Sequence, residues 1–303
     1  MKAAIYFNEL QPLLYGYYIC KGVIFLHRKI SAAVFTVLTA MFMCGCTSDK
    51  NTVGQSAGHN DRGGRTPAET AFLTDGKEKV CYGQGYETDS DNRPVGAIQA
   101  QEKYGSYGGR FIFGKDDKTI CLTFDEGYEN GCTGKILDIL KEKKVTATFY
   151  VTLDYVKSSP ELVQRMINEG HEVGNHSCTH PSMPDISDDM VFEEIHGLET
   201  YISDNFGGYK TVTMRPPRGE FSVRTLRIAK NMGYDTVLWS FAYNDWNTDA
   251  QPDRDTAYRR ITSATHNGAV YLLHAVSETN TAILPDVIDY WLDNGYTVKS
   301  ISG

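Results

Sequence analysis

The stretch Leu122–Gly131, LTFDEGYENG, ends an apolar run on two adjacent carboxylates, Asp125 and Glu126, with Glu129 four residues after the first. Asp and Gly are turn residues, so this stretch alone reads as readily as a strand leaving a sheet as it does as a site. The chain around it carries the decision. From about residue 117, short β-branched or aromatic runs (TICLTF, TATFYVT, HEVGNH, TVTMRPP, TVLWSFA, AVYLLHA and YTVKSI) alternate with segments of helical period. GKILDILKEK places Ile136, Leu137 and Leu140 on one helical face. SSPELVQRMINEG carries a serine cap, Pro160 near the first turn and Gly170 after the last. SDDMVFEEIHGLETYI and FSVRTLRIAKNMG repeat the form. Seven strands alternating with helices mean a parallel sheet covered by helices, either a barrel or an open doubly wound sheet. No internal repeat is evident.

The 303 residues, 41% of them hydrophobic, suffice for one full-sized core with a tail to spare. A mean hydropathy of -0.37 excludes a multi-span membrane protein. The formal net charge of -8 argues against a nucleic-acid partner, which normally meets a basic face. Residues 1–46 read as targeting sequence: His27–Lys29 precede the fourteen-residue apolar run Ile30–Met43, too short to span a bilayer comfortably, and small residues lead to Cys46. MCGCTSDK resembles a lipoprotein box in which Cys46 becomes the lipidated first residue; the alternative is an uncleaved anchor helix. Residues 47–80 are polar, rich in Gly, Thr and Asp, and read as a flexible tether. Residues 81–116 form a lead-in, and 117–303 the main domain. Cys81, Cys121, Cys132 and Cys178 match no metal-cluster spacing and read mostly as buried thiols, with room for one bridge but no disulfide framework.

In both candidate architectures the working face lies at the C-terminal ends of the strands. Asp125 and Glu126 end the first strand, His176 the third, Arg215 the fourth and His274 the sixth, while Asp245 follows the fifth. Acids, bases and a cation thus share one rim. His176 and His180 are four apart in NHSCTH, a spacing that aims two imidazoles at one point, with Cys178 pointing away. Such a pair is a weak metal signal by itself; a carboxylate from a neighbouring strand end strengthens it.

The ordered set TFDEGYEN, HSCTH, RPPRG, NDW and LLHAV resembles the five motifs of the polysaccharide deacetylases, carbohydrate esterase family 4 or the NodB homology domain. Within that family it resembles the delta-lactam-biosynthetic de-N-acetylases of spore peptidoglycan, and the resemblance covers about residues 81–303. It implies an α/β fold of the distorted (β/α)7 barrel type, and so a barrel over the open sheet. It implies a divalent metal, zinc first and manganese or cobalt as alternatives, held by His176 and His180, with Glu126 where the wider family has a second Asp. Asp125 matches the general base, Arg215 the cation that orients it, and His274 the general acid whose charge Asp245 sustains. The backbone N–H of Arg218 would face the oxyanion, and Trp246 and Leu272 would wall the acetyl pocket. The longer glutamate arm at 126 puts metal affinity in question while leaving the reaction class alone.

The implied substrate is a peptidoglycan glycan strand, de-N-acetylated at muramic acid after an N-acetylmuramoyl-L-alanine amidase has removed the peptide. The alternatives are N-acetylglucosamine or another glycan as substrate, and a glycan-binding module without catalysis; the retained acid and base set speaks against the latter. Arg218 is expected to read the free lactoyl carboxylate of peptide-stripped muramic acid.

Overall fold

The computed structural model describes residues 76–303; Cys46 and residues 47–75 lie outside them. At the centre is β3 (Thr119–Glu126), whose residues are buried along almost their whole length, as befits a parallel strand covered on both faces. It lies parallel to β4 (Thr148–Val151) and to β9 (Ala269–His274), in a register that sets Asp125 opposite both Tyr150 and His274. From β4 the sheet continues through β5 (Glu172–Asn175), β6 (Thr213–Met214) and β8 (Asp235–Val237), all parallel. β10 (Thr297–Lys299) lies along the start of β3.

The ring closes just past β8, where Phe241 bridges Tyr271 of β9 and accepts the Leu272 N–H at 2.8 Å. One bridge and the two-residue strand β6 make this the distorted (β/α)7 barrel that the motif resemblance implied. All seven expected strands are present in a sheet of eight. The extra parallel strand, β2 (Gly109–Arg110), pairs with β8 and belongs to the lead-in. A separate antiparallel pair joins β1 (Val80–Cys81) to β7 (Glu220–Phe221). Neither short pair has an apolar run to announce it.

Alternation along β3 sorts its side chains between two cores. Leu122 and Phe124 face the helices and pack with Ile136, Leu137 and Leu140 of α2 (Thr133–Lys143). Cys121 faces the barrel interior with Tyr150, Val270 and Leu272, in a cluster that runs on into Tyr82, Phe111 and Ile112 of the lead-in. The lead-in, which also carries α1 (Val95–Tyr104), is therefore part of the packed domain. The helices begin largely as the sequence indicates. Ser187 caps α5 (Asp188–Asn205), and Ser222 makes a capping box at α6 (Val223–Asn231). Thr152 caps α3 (Leu153–Ser158), and Pro160 opens α4 (Pro160–Asn168), where Ser159 sits at the cap position without a side-chain cap bond. The last two helices are α7 (Arg254–Ser263) and α8 (Glu278–Asp293). Cys121 and Cys132 are buried free thiols and Cys178 is half-buried, whereas Cys81 is exposed and not among the free thiols. Burial pushes the Cys121 thiol up to about 12.

Candidate active site

Asp125 projects into the mouth of the barrel, where Arg215 donates to its Oδ1 at 2.8 Å. Arg215 is wholly buried at the end of β6 and held on every side. Its Nη1 also donates to Thr123 Oγ1 at 2.8 Å, its Nε to the Val237 carbonyl at 3.0 Å and its Nη2 to the Leu238 carbonyl at 3.1 Å. The guanidinium lies 4.3 Å from the centre of the Tyr150 ring. A glycine makes room for that ring: a Cβ on Gly174 would come within 2.4 Å of it. Burial works against the charge on Asp125, but Arg215, with His176 and His274 beyond it, outweighs burial and holds the carboxyl below its ordinary value.

His176 follows β5, and its Nδ1 lies 2.8 Å from the Arg215 carbonyl. A carbonyl only accepts, so Nδ1 carries the proton and Nε2 turns its lone pair to the site, 3.6 Å from Asp125 Oδ2. The His180 ring lies 5.0 Å from that of His176, centre to centre. The loop between them is braced from both ends: Ser177 N–H donates to Asn175 Oδ1, His180 N–H to Ser177 Oγ, and Thr179 is bonded twice to Glu194. Ser177 and His180 take left-handed backbone at φ 69° and 58°. Cys178 points away, against Gly197 of α5. Burial, reinforced by the neighbouring His176, lowers His180 to about 4, and burial also lowers His176 despite Asp125. Both imidazoles are thus neutral and suited to a divalent cation.

Glu126 does not join them. It shares the helix-facing side of β3 with Leu122 and Phe124, fully buried, with Oε1 3.5 Å from Thr133 Oγ1 and Oε2 without a hydrogen-bond partner. Burial, then the like charges of Glu129 and Asp125, raise it well above the usual carboxylate value. Among the described residues no three His, Cys, Asp or Glu side chains are gathered as a metal set. The expectation of Glu126 as third ligand meets the two-residue alternation of a strand, which sends neighbours to opposite faces. The donor set fits a cation held through His176 and His180, with further positions left to water and substrate.

Across the mouth, His274 Nδ1 lies 2.6 Å from Asp245 Oδ1. The fully buried Asp245 also accepts the His274 N–H at 2.8 Å and the Asn280 amide at 2.6 Å. Burial would lower His274, but Asp245 outweighs it and the imidazole is raised above its ordinary value. Leu272, two residues before His274 on the same face of β9, is 4% exposed and belongs to the barrel core. Trp246 is 54% exposed, on the rim. Arg218 sits in a turn where it and Gly219 are both left-handed, φ 62° and 65°. Its side chain is exposed and, among the described residues, makes no ion pair, so it does not brace Asp125 or Glu126. The positions that sequence reasoning missed are Thr123, Tyr150 and Asn280, each of which supports another side chain rather than facing the mouth.

A base braced by a cation, an acid charged by a carboxylate and two neutral imidazoles around one mouth suit amide hydrolysis. Residues 114–237 match the polysaccharide deacetylase family. The chain is 42% identical over 218 residues to a protein of Geobacillus stearothermophilus known as an uncharacterized 30.6 kDa protein, covering 72% of this chain and 82% of that one. It is also 42% identical over 200 residues to the peptidoglycan-N-acetylmuramic acid deacetylase PdaA of Bacillus subtilis, covering 66% of this chain and 75% of PdaA. The chain belongs to the polysaccharide deacetylase family. The structure of Bacillus subtilis PdaA, a family 4 carbohydrate esterase, superposes with a TM-score of 0.71 at 38% identity, covering 75% of this chain and 96% of that one. This is a family of hydrolases that cleave amide bonds, and the present chain stands close to PdaA within it.

Proposed function

We propose that the protein is a metal-dependent de-N-acetylase of peptidoglycan that acts on N-acetylmuramic acid in strands stripped of peptide by an amidase, toward the muramic delta-lactam of spore cortex. The observation that carries the reading is the pairing of two oppositely tuned groups at one register level, Asp125 and His274. The lowered carboxyl of Asp125 favours the ionised form that takes a proton, and the raised imidazole of His274 favours the protonated form that gives one. Arg218 supports the muramic substrate, because an exposed guanidinium whose charge is felt at His180 suits the free lactoyl carboxylate that amidase cleavage leaves.

In the reaction, Asp125 takes a proton from water as its oxygen attacks the N-acetyl carbonyl carbon. The negative charge that develops on the carbonyl oxygen is met by the Arg218 N–H, which has no backbone acceptor among the described residues. His274, its Nδ1 fixed by Asp245, gives its proton from Nε2 to the departing nitrogen; the C–N bond breaks, and acetate and a free amine leave. A divalent metal bound at His176 and His180 would supply Lewis-acid polarisation of water and carbonyl. Arg215 holds Asp125 in line throughout, and Leu272 closes the site beneath His274. Trp246 presents its ring to the sugar from the rim. We place the enzyme outside the cytoplasm, tethered through lipidated Cys46.

The deciding experiment measures acetate released from amidase-treated strands and from strands with intact stem peptides, after chelation and with zinc, manganese or cobalt restored. Metal-dependent release favouring the stripped strands is expected. Release from N-acetylglucosamine polymers alone would move the protein to the glucosamine reading.

A further inference from the structure

Residues 76–82 are laid along the turn that carries Arg218. The Gly76 carbonyl accepts the Arg224 N–H at 2.9 Å, Val80 and Cys81 pair with Phe221 and Glu220, and the Tyr82 N–H donates to the Gly219 carbonyl at 3.0 Å. The Tyr82 hydroxyl donates to the Trp239 carbonyl at 2.6 Å. Within this segment Lys79 Nζ reaches two rim loops at once. It lies 2.8 Å from Ser182 Oγ and 2.7 Å from Asp185 Oδ2, on the loop after His180, and 2.8 Å from Glu220 Oε2, two residues after Arg218.

The charges give this clamp a consequence. Arg218 is an exposed cation without an ion pair among the described residues, yet Glu220 stands two residues away, at most about 7 Å between Cα atoms and within reach of an arginine side chain. The Lys79 ammonium already engages Glu220, whose side chain is only 16% exposed. A carboxylate so engaged competes weakly for a second cation. The left-handed backbone of Arg218 needs support from its surroundings to persist, and the segment supplies it on the C-terminal side of the turn.

We infer that Lys79 is a specificity-determining residue: by holding Glu220 and the Asp185 loop it keeps the Arg218 guanidinium free for the carboxylate of the substrate. The inference rests on the muramic reading, in which Arg218 meets that carboxylate. It gives a segment whose first residues, 76–80, read from sequence as polar tether a role in substrate choice that no motif there announces.

The test is a double-mutant cycle on acetate release from amidase-treated strands, using wild type, Lys79→Met, Arg218→Met and the double variant. Lys79→Met is expected to raise KM about tenfold while kcat stays within about twofold, because the lost contact is to the lactoyl carboxylate and to no atom of the bond that breaks. Lys79→Arg restores KM, and Lys79→Met adds nothing in the Arg218→Met background. Lys79→Gln serves as the neutral variant where methionine lowers the melting temperature. Additive effects, or a fall in kcat at constant KM, overturn the role and leave Lys79 a structural clamp. A wild type that releases no acetate from these strands but does so from glucosamine polymers overturns the muramic reading itself, and Lys79's role with it.

Discussion

In the proposed reaction Asp125 is the base, and its surroundings suit an aspartate to that role. Arg215 donates to one oxygen while the other faces His176 and the mouth, so the group is both ionised and aimed. Asp125→Asn keeps the shape but cannot take the proton, and kcat should fall by about 10²- to 10⁴-fold with the melting temperature little changed. For His274 the sign follows from the protonated form being the active one. Its value is raised by Asp245, so activity extends upward in pH and is lost as pH rises through that raised value. Asp245→Asn leaves burial, which lowers the imidazole, so the alkaline limb of kcat/KM should move to lower pH. A pH–rate profile with an unmoved alkaline limb would remove His274 from the role of acid. Glu126 carries a stability prediction. A carboxyl raised in the folded state keeps a proton that the unfolded chain releases, so its favourable contribution is full below the unfolded value and is lost as pH rises toward the folded one. Glu126→Gln removes the ionisation and lets the amide donate toward Glu129, so melting at about pH 8 should rise by about 2–4 °C, with no gain at about pH 4. Calorimetric titration of that variant with zinc should give the wild-type affinity.

At the scale of elements, the barrel is a device for aiming strand ends, and a close approach inside it can be tested. Gly174 on β5 admits the Tyr150 ring of β4, and that ring lies against Arg215. Gly174→Ala should cost about 1–3 kcal/mol and also lower kcat, since the displaced ring moves the group that orients Asp125. A variant that melts lower with unchanged kcat would separate the ring from catalysis. The elements that were legible in the sequence are those buried on both faces: TICLTF, TATFYVT and AVYLLHA could only be strands of a covered sheet, and each is one. β2 and the β1–β7 pair were not legible, because two residues carry no period and their partners are 127 and 141 positions away, Gly109 on Thr236 and Val80 on Phe221. The same logic divides the site. Asp125, His176, Arg215, Asp245 and His274 could be placed on one rim because strand ends share it. Thr123, Tyr150 and Asn280 act across strands, where no sequence spacing reveals them. The facing of Glu126 was legible in principle, since the alternation that turns Asp125 inward turns its neighbour outward.

For the whole molecule, the proposed lipid tether would have to do what the charge of the chain does not. The chain has a net charge of -8, so electrostatic attraction would not hold it at an anionic surface, and in the proposed localisation retention falls to the N-terminal segment. Residues 47–75 connect Cys46 to the first described residue, and their covalent length allows a span of at most about 100 Å at 3.3–3.6 Å per residue. Gly76 begins the segment that Lys79 fastens beside the Arg218 turn, so the first described residue lies near that turn. Lipidation at Cys46 would hold the site within reach of glycan lying just outside the membrane. Cys46→Ser should move the protein from the membrane to the soluble fraction, since what remains is polar and one short apolar run. Purified, the variant should retain wild-type kcat/KM on stripped strands, because nothing in the site depends on the anchor. Cell fractionation with labelled palmitate separates the alternatives: retention of Cys46→Ser in the membrane without label assigns the anchoring to an uncleaved helix over residues 30–43, and release together with loss of label assigns it to the lipid.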